Sequence, residues 1–257
     1  MNILDTQPIE WINPFIYWWI AIAICLFPFI LKFRAPYGRH TRTNWGPMIS
    51  NRLGWILMEV PALGVFVICF LINGWNHLFI NWLFFTLWVI HYTNRSLIFP
   101  FRIKTSGKKM PVVIVVMAFG FNLVNGFING YYLGNLHAYT LNWLNHPLMI
   151  LGLVLFLTGI AINWKSDSML IRLRANGSQG YKVENSWLFK YISCPNLFGE
   201  IVEWGGFALM TWSLPGLAFF VWTLANLLPR ALAHHRWYQE NFDDYPQERK
   251  AVIPFIL

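Results

Sequence analysis

Charge is what this sequence has least of. Asp, Glu, Lys and Arg make up 12% of its 257 residues, against about 25% in an ordinary globular protein. A soluble domain of this length could not clothe its surface with so few polar groups. Cysteine is nearly absent as well. Cys25, Cys69 and Cys194 are an odd number with no CxxC or Cys/His spacing, which excludes a disulfide framework and a zinc site and leaves buried or inert thiols. No GxGxxG follows a strand, and there is no Walker loop and no GxSxG. Any nucleotide site here is therefore not built like a Rossmann or P-loop site. No basic stretch precedes the first apolar run, which follows Asp5 and Glu10 and is too long for a signal h-region, so that run reads as a first span.

Apolar and aromatic residues are plentiful. The chain is 56% hydrophobic, with 15 Trp, 22 Phe and 10 Tyr, and such aromatic enrichment suits helices that cross a water–lipid interface. A helical span needs roughly 20 mainly apolar residues. Candidates lie near 13–32, 53–73, 78–99, 111–133, 147–164, 198–214 and 215–238, the last two divided by Ser213-Leu214-Pro215-Gly216, a tight-turn signal. The sixth is short and carries Glu200 and Glu203.

The net charge of +8 is explained by membrane topology, without a nucleic-acid partner. Basic residues fall after spans 1, 3 and 5, in the C-terminal segment and at Arg95, and these places hold all 19 Lys and Arg. The connections after spans 2, 4 and 6 have none. Seven spans with the N-terminus outside and the C-terminus in the cytosol satisfy the positive-inside rule; six or eight break the alternation. The expectation is an all-α, seven-helix polytopic membrane protein, a single domain over 1–257 and a monomer. It belongs in the inner (plasma) membrane if the chain is bacterial and in the endoplasmic reticulum if it is eukaryotic.

An ionisable group inside a span costs on the order of 2.5–3.5 kcal/mol for a central Asp, Lys or Arg and is a functional-site candidate by default. Glu59 in span 2 and Tyr92 in the antiparallel span 3 both sit roughly 10 Å below the cytosolic interface, at 1.5 Å of rise per residue. The spacing lets them face each other across one pocket. Three further polar faces share that half of the membrane. Asn163, Asp167 and Arg174 form one, Asn196, Glu200 and Glu203 another, and Arg230, His234 and Tyr238 the third. Together they offer cations, amides and carboxylates, the groups that a phosphorylated, ribose-bearing cofactor needs. Read blandly, they are helix-end charges and snorkelling side chains. Asn122, Asn125 and Asn129 line one face of span 4 beside Gly126, Gly130 and Gly134, a pattern that favours close helix packing over pocket lining. Adjacent His234 and His235 diverge by about 100° on a helix and lack further ligands at metal spacing, so no metal is expected.

The C-terminal third is more specific. Asn196-Leu197-Phe198-Gly199-Glu200-Ile201-Val202-Glu203-Trp204 is followed by Ala208-Leu209-Met210-Thr211-Trp212-Ser213-Leu214-Pro215. Then come Pro229-Arg230-Ala231, His234-His235-Arg236-Trp237-Tyr238, Asp244-Tyr245-Pro246 and Arg249-Lys250-Ala251-Val252-Ile253-Pro254-Phe255. This run resembles the steroid 5-alpha-reductase family, membrane enzymes that reduce a conjugated C=C with NADPH. Tyr37-Gly38-Arg39-His40-Thr41, Trp55 to Glu59 with Pro61, His91-Tyr92 with Arg95, Gly107-Lys108-Lys109-Met110-Pro111 and Ser166-Asp167 also fit. Thr93-Asn94, Phe99 and Met58 depart from the family pattern, which bears on the identity of the steroid and not on the reaction type.

The resemblance implies that Glu59 and Tyr92 hydrogen-bond the substrate's 3-keto oxygen. It implies that Asn163, Asp167, Arg174, Tyr181, Asn196, Glu200, Arg230, His234 and Tyr238 hold NADPH, with Tyr37, Arg95 and Lys108 as additions. The reaction it implies is reduction of the C4–C5 double bond of a Δ4-3-ketosteroid such as testosterone or progesterone. Hydride reaches C5 and a proton C4, and the lipophilic substrate enters from the surrounding membrane lipid. Glu59 must then be protonated or share a proton with Tyr92. Other readings are a related membrane reductase of an enoyl-CoA or a polyprenol, an S-adenosylmethionine-dependent membrane methyltransferase, and a non-enzymatic seven-helix receptor or transporter.

Overall fold

A computed structural model describes residues 7–33, 36, 38–72, 78–105, 107–173 and 182–257. The chain is mostly helical. In order, α1 is Gln7–Lys32, α2 Asn51–Leu71, α3 Phe79–Thr93, α4 Phe99–Arg102, α5 Val112–Tyr131, α6 Pro147–Leu173, α7 Pro195–Thr211 and α8 Leu214–Asn241. Five stretches are long and apolar enough to cross a bilayer: Trp11–Lys32, Asn51–Leu71, Val112–Leu136, Pro147–Leu173 and Leu214–Asn241. The chain is accordingly an integral membrane protein by length and composition. α3 and α7, with 15 and 17 residues, fall short of that length on their own. α3 continues through a π-helical turn, Asn94–Ile98, directly into α4.

Element ends differ from the expected spans where local chemistry intervenes. α7 and α8 part at Trp212, whose backbone is left-handed (φ 42°, ψ 45°), one residue before the expected turn. Ser213 then caps α8 by accepting from Gly216 N at 3.1 Å, and Pro215 sits in the first turn, where its missing N–H costs nothing. α6 runs to Leu173, nine residues past the expected 164, because its polar end is held by other elements.

Glycine sets two of the helix pairings. On α6 and α7, Gly152 and Gly159 face Gly199 and Gly206, and a Cβ on Gly206 would stand 2.5 Å from Phe156 N. On α5, a Cβ on Gly130 would stand 2.5 Å from Phe66 O of α2. Backbones approach this closely only where side chains are absent. The main core lies between these pairs, built from Phe66, Phe84, Trp88, Phe156, Trp204 and Phe207. α1 packs on α8, with Trp19 and Trp222 rings 4.8 Å apart. Its other face exposes Trp11, Tyr17, Trp18, Ile24 and Phe29, which suits lipid.

Two strands join the connections at one end of the bundle. β1 (Met48–Ser50) pairs antiparallel with β2 (Lys109–Pro111), Ile49 opposite Met110. Asn51 N donates to Lys108 O at 3.0 Å just beyond, so the start of α2 and the approach to α5 form one rim. The C-terminal segment closes the same end. Ser193 N donates to Lys250 O and Lys250 N to Tyr191 O, both at 2.8 Å.

Candidate active site

Six segments meet in one pocket at that end. They are the connection after α1 (Gly38, Arg39), the start of α2 (Asn51, Trp55), the stretch from Arg95 to Lys108, the end of α6 (Asp167, Leu170, Ile171), the start of α7 (Ser193 to Leu197) and the end of α8 (Arg230, His234, Tyr238). All six are ends that the charge pattern assigns to a single side of the membrane. The pocket wall is thus rich in cations, with hydrogen-bonding groups between them.

Arg95 is the centre of the polar arrangement. It lies in the π-helical turn after α3, and such turns re-aim a side chain and recur at functional sites. Its guanidinium reaches Asp167 Oδ2 at 3.4 Å, Glu200 Oε2 at 3.4 Å and Glu59 Oε1 at 4.0 Å. The group is buried and lies over the rings of Trp55 (5.1 Å) and Phe99 (4.9 Å). Three helices distant in sequence, α2, α6 and α7, therefore converge on one cation. Asn196 Nδ2 donates to Asp167 Oδ1 at 3.0 Å, and Asn163 Nδ2 donates to the Asn196 carbonyl at 3.0 Å.

The expected polarising pair lies behind Arg95, outside the pocket lining. Glu59 Oε2 accepts from Asn122 Nδ2 at 3.4 Å, and that amide also donates to Met58 O at 2.7 Å. The Tyr92 hydroxyl accepts from Asn125 Nδ2 at 3.3 Å. Both residues are thus held from one face of α5, three residues apart. Tyr92 is buried against Trp88 (5.0 Å) and Trp204 (5.8 Å).

The twelve expected cofactor residues distribute as follows. Arg95, Lys108, Asp167, Asn196, Arg230, His234 and Tyr238 line the pocket. Asn163 and Glu200 stand behind the lining and bond to residues in it. Tyr37, Arg174 and Tyr181 lie outside the described residues. Glu203, which shares the spacing of Asn196 and Glu200, belongs to a different contact. Its Oε1 is 2.7 Å from His91 Nδ1, fully buried, tying α7 to α3. The adjacent histidines do diverge: His234 stacks on His40 at 5.3 Å, while His235 Nδ1 bonds Ser193 Oγ at 2.6 Å.

Sequence reasoning missed several residues of the site. Arg39 lines the pocket, donates to Tyr238 Oη at 3.2 Å and lies 4.4 Å over that ring. Its membership of the Tyr37 to Thr41 run was the available signal. Trp55, Asn51, Lys104 and Cys194 also line the pocket. Burial pushes the Cys194 thiol up to about 12, against the pull of Arg39 and Arg230, so it is an inert wall and not a nucleophile. Asn122 and Asn125 were visible as a polar stripe, but nothing in their spacing said whom they would meet.

Residues 108–257 match the family described as 3-oxo-5-alpha-steroid 4-dehydrogenase. The chain is 43% identical over 233 residues to the steroid 5-alpha-reductase DET2 of Gossypium hirsutum, covering 87% of this chain and 88% of that protein. It is 40% identical over 225 residues to the 3-oxo-5-alpha-steroid 4-dehydrogenase 1 of Rattus norvegicus (87% and 86%) and 35% identical over 239 residues to that of Homo sapiens (92% of each). A half-buried carboxylate and a buried tyrosine held by one face of α5 beside a cation-lined pocket, in a membrane-embedded helical chain with relatives of this similarity, lead to one conclusion: the chain belongs to the 3-oxo-5-alpha-steroid 4-dehydrogenase (steroid 5-alpha-reductase) family of oxidoreductases.

Proposed function

We propose that this protein reduces the C4–C5 double bond of a Δ4-3-ketosteroid with NADPH and a proton, the hydride going to C5 and the proton to C4, giving the 5-alpha-dihydrosteroid and NADP⁺. The observation that carries this reading is the link between the two halves of the site. Arg95 lines the cation-rich pocket and at the same time approaches Glu59, which α5 holds one turn from the support of Tyr92. A cofactor at the pocket and a ketone at the pair would therefore be neighbours.

The donor set suits the cofactor. Arg39, Lys104, Lys108 and Arg230 on the wall match phosphate oxygens, and Asp167, Asn196 and Tyr238 match hydroxyls and amides. Several cations favour a ligand carrying the additional phosphate of NADPH. A nicotinamide bound there supplies the hydride that C5 receives.

The protein's own part is to polarise the ketone. As C5 gains the hydride, negative charge grows on the 3-oxygen. The Tyr92 hydroxyl and the Glu59 carboxyl donate hydrogen bonds to it, and a donor aimed at developing charge in a dry site contributes roughly 10²–10³ in rate. Charge counting supports a neutral Glu59. One guanidinium faces three carboxyls, Asp167 buried and Glu59 and Glu200 half-buried, and such crowding of like charges disfavours ionising them all. Glu59 lies farthest of the three from Arg95, and its proposed role requires it to be protonated or to share a proton with Tyr92. The substrate, lipid-soluble, reaches the pair from the bilayer, and the cofactor enters from the cytosol in a seven-span arrangement with the N-terminus outside.

Purified protein, NADPH and progesterone or testosterone test this directly. Glu59→Gln and Tyr92→Phe should each lower turnover by about 10²-fold while keeping most NADPH binding. Near-normal turnover in both variants would sink the polarising pair.

A further inference from the structure

The asparagines of α5 do more than fill a helix interface. Asn129 Nδ2 donates to two acceptors on Asn125, the backbone carbonyl and the side-chain Oδ1, both at 3.1 Å. A backbone carbonyl only accepts, so the Asn129 amide has one orientation. Its donation then obliges Asn125 to turn Oδ1 toward Asn129. The other end of the Asn125 amide, Nδ2, faces the Tyr92 hydroxyl at 3.3 Å. The Tyr92 oxygen must therefore accept. Its own proton finds no acceptor within hydrogen-bond distance among the described residues. All three asparagine and tyrosine side chains are buried, with exposures of 1% for Asn125, 1% for Asn129 and 3% for Tyr92.

We infer that Asn125 and Asn129 are positioning residues that fix the direction of the Tyr92 hydroxyl, so that its proton is reserved for the substrate's ketone. The inference rests on the proposed role of Tyr92 as a donor to that ketone. A tyrosine hydroxyl can point its proton at any acceptor within reach. An acceptor on α5 would take the proton and leave only lone pairs for the substrate oxygen. The chain from the Asn125 carbonyl through Asn129 and back through Asn125 removes that choice, each step being set by a group that cannot reverse.

Two substitutions separate direction from packing. Asn125→Leu is close in size and has no acceptor. Asn125→Asp is closest in shape, but once the pH is high enough to ionise it its carboxylate only accepts. Packing alone favours the aspartate. Direction favours the leucine. The expected result at that pH is that Asn125→Leu stays within about tenfold of wild-type kcat, whereas Asn125→Asp falls by about 10²-fold, with NADPH affinity unchanged in both. Asn125→Asp turning over as fast as Asn125→Leu, or faster, overturns the inference. Tyr92→Phe runs alongside: if it is impaired, such a failure belongs to the asparagines alone, and if it turns over normally, the role of Tyr92 falls and the inference with it. A measurement on unaltered protein guards against misfolded variants. The Raman difference spectrum of wild type minus Tyr92→Phe should show the tyrosine doublet weighted toward an accepting phenol; a donor-weighted doublet overturns the inference.

Discussion

Replacing Gly199 by alanine should separate α6 from α7 and disable the site without touching any polar side chain. The added Cβ would stand 2.5 Å from Asn163 N and 2.7 Å from Gly159 O, where ordinary contact begins at 3.4 Å. Both neighbours are backbone atoms of α6 and cannot rotate away. The helices must part by about 0.9 Å at this level to restore contact distance. The hydrogen bond from Asn163 Nδ2 to the Asn196 carbonyl, 3.0 Å long, opens toward about 3.9 Å and is lost. Asn196 then no longer holds Asp167, and Asp167 no longer shares Arg95 in its present geometry. Overpacking costs about 1–3 kcal/mol, and the lost hydrogen bond adds about 1 kcal/mol. In a protein of this length the sum lowers the melting temperature by roughly 5–15 °C. A shift near 1 Å in the positioning groups costs about 10²-fold in turnover. The assay is thermal unfolding in detergent with NADPH titration and steroid turnover. Gly64→Ala is the control: Gly64 lies inside α2 with open space around it, and alanine there should be neutral or stabilising by up to about 1 kcal/mol. Gly199→Ala with unchanged melting temperature and turnover would refute the claim that this close approach aligns the site.

Arg95→Gln should lose NADPH binding and lower thermal stability by about 3–5 kcal/mol at most, because it leaves the buried Asp167 and the half-buried Glu200 without their cation. Arg102→Gln should change little, since Arg102 is exposed and, among the described residues, bonds only Ser168 Oγ at 2.8 Å; comparable losses in the two variants would contradict the central role given to Arg95. Acid should loosen the turn before α7. Burial works to raise Glu184, but hydrogen bonds from Ser186 and Asn185, with Arg249 nearby, outweigh it and hold the carboxyl below its usual 4.5. A depressed carboxylate contributes stability above its unfolded value, and that contribution disappears as pH falls through the folded one. The melting-temperature difference between wild type and Glu184→Gln should thus be present at neutral pH and vanish under acid, and a difference constant with pH would contradict it.

Several parts of this arrangement were legible in the residues. Glu59 stood out because an ionisable group is rare and costly in an apolar helix, and counting residues from the interface gave Tyr92 the same depth. The faces at Asn163/Asp167, Asn196/Glu200 and Arg230/His234/Tyr238 follow from helical periodicity, and all three reach the same end of the bundle. Periodicity stops at the single helix. It grouped Glu203 with Asn196 and Glu200, whereas the rotation of α7 against α3 turns Glu203 to His91. It read the α5 asparagines as packing, and Asn122 and Asn125 do tie α5 to α2 and α3 outside the pocket lining, but only the fold shows that Glu59 and Tyr92 are among their partners.

The sequence by itself determined the solvent of this protein, its helical class and which helix ends carry polar groups, because composition and spacing are properties of single segments. Only the tertiary structure decided how those ends are joined. The π-helical turn that aims Arg95, the β1–β2 pairing that brings Lys108 beside Asn51 and the glycine contacts that set helix register all depend on distant backbones meeting. The low charge content acquires its full meaning there. With so few ionisable groups to arrange, one cation in an irregular turn can gather three carboxyls from three helices, and no single segment carries that information.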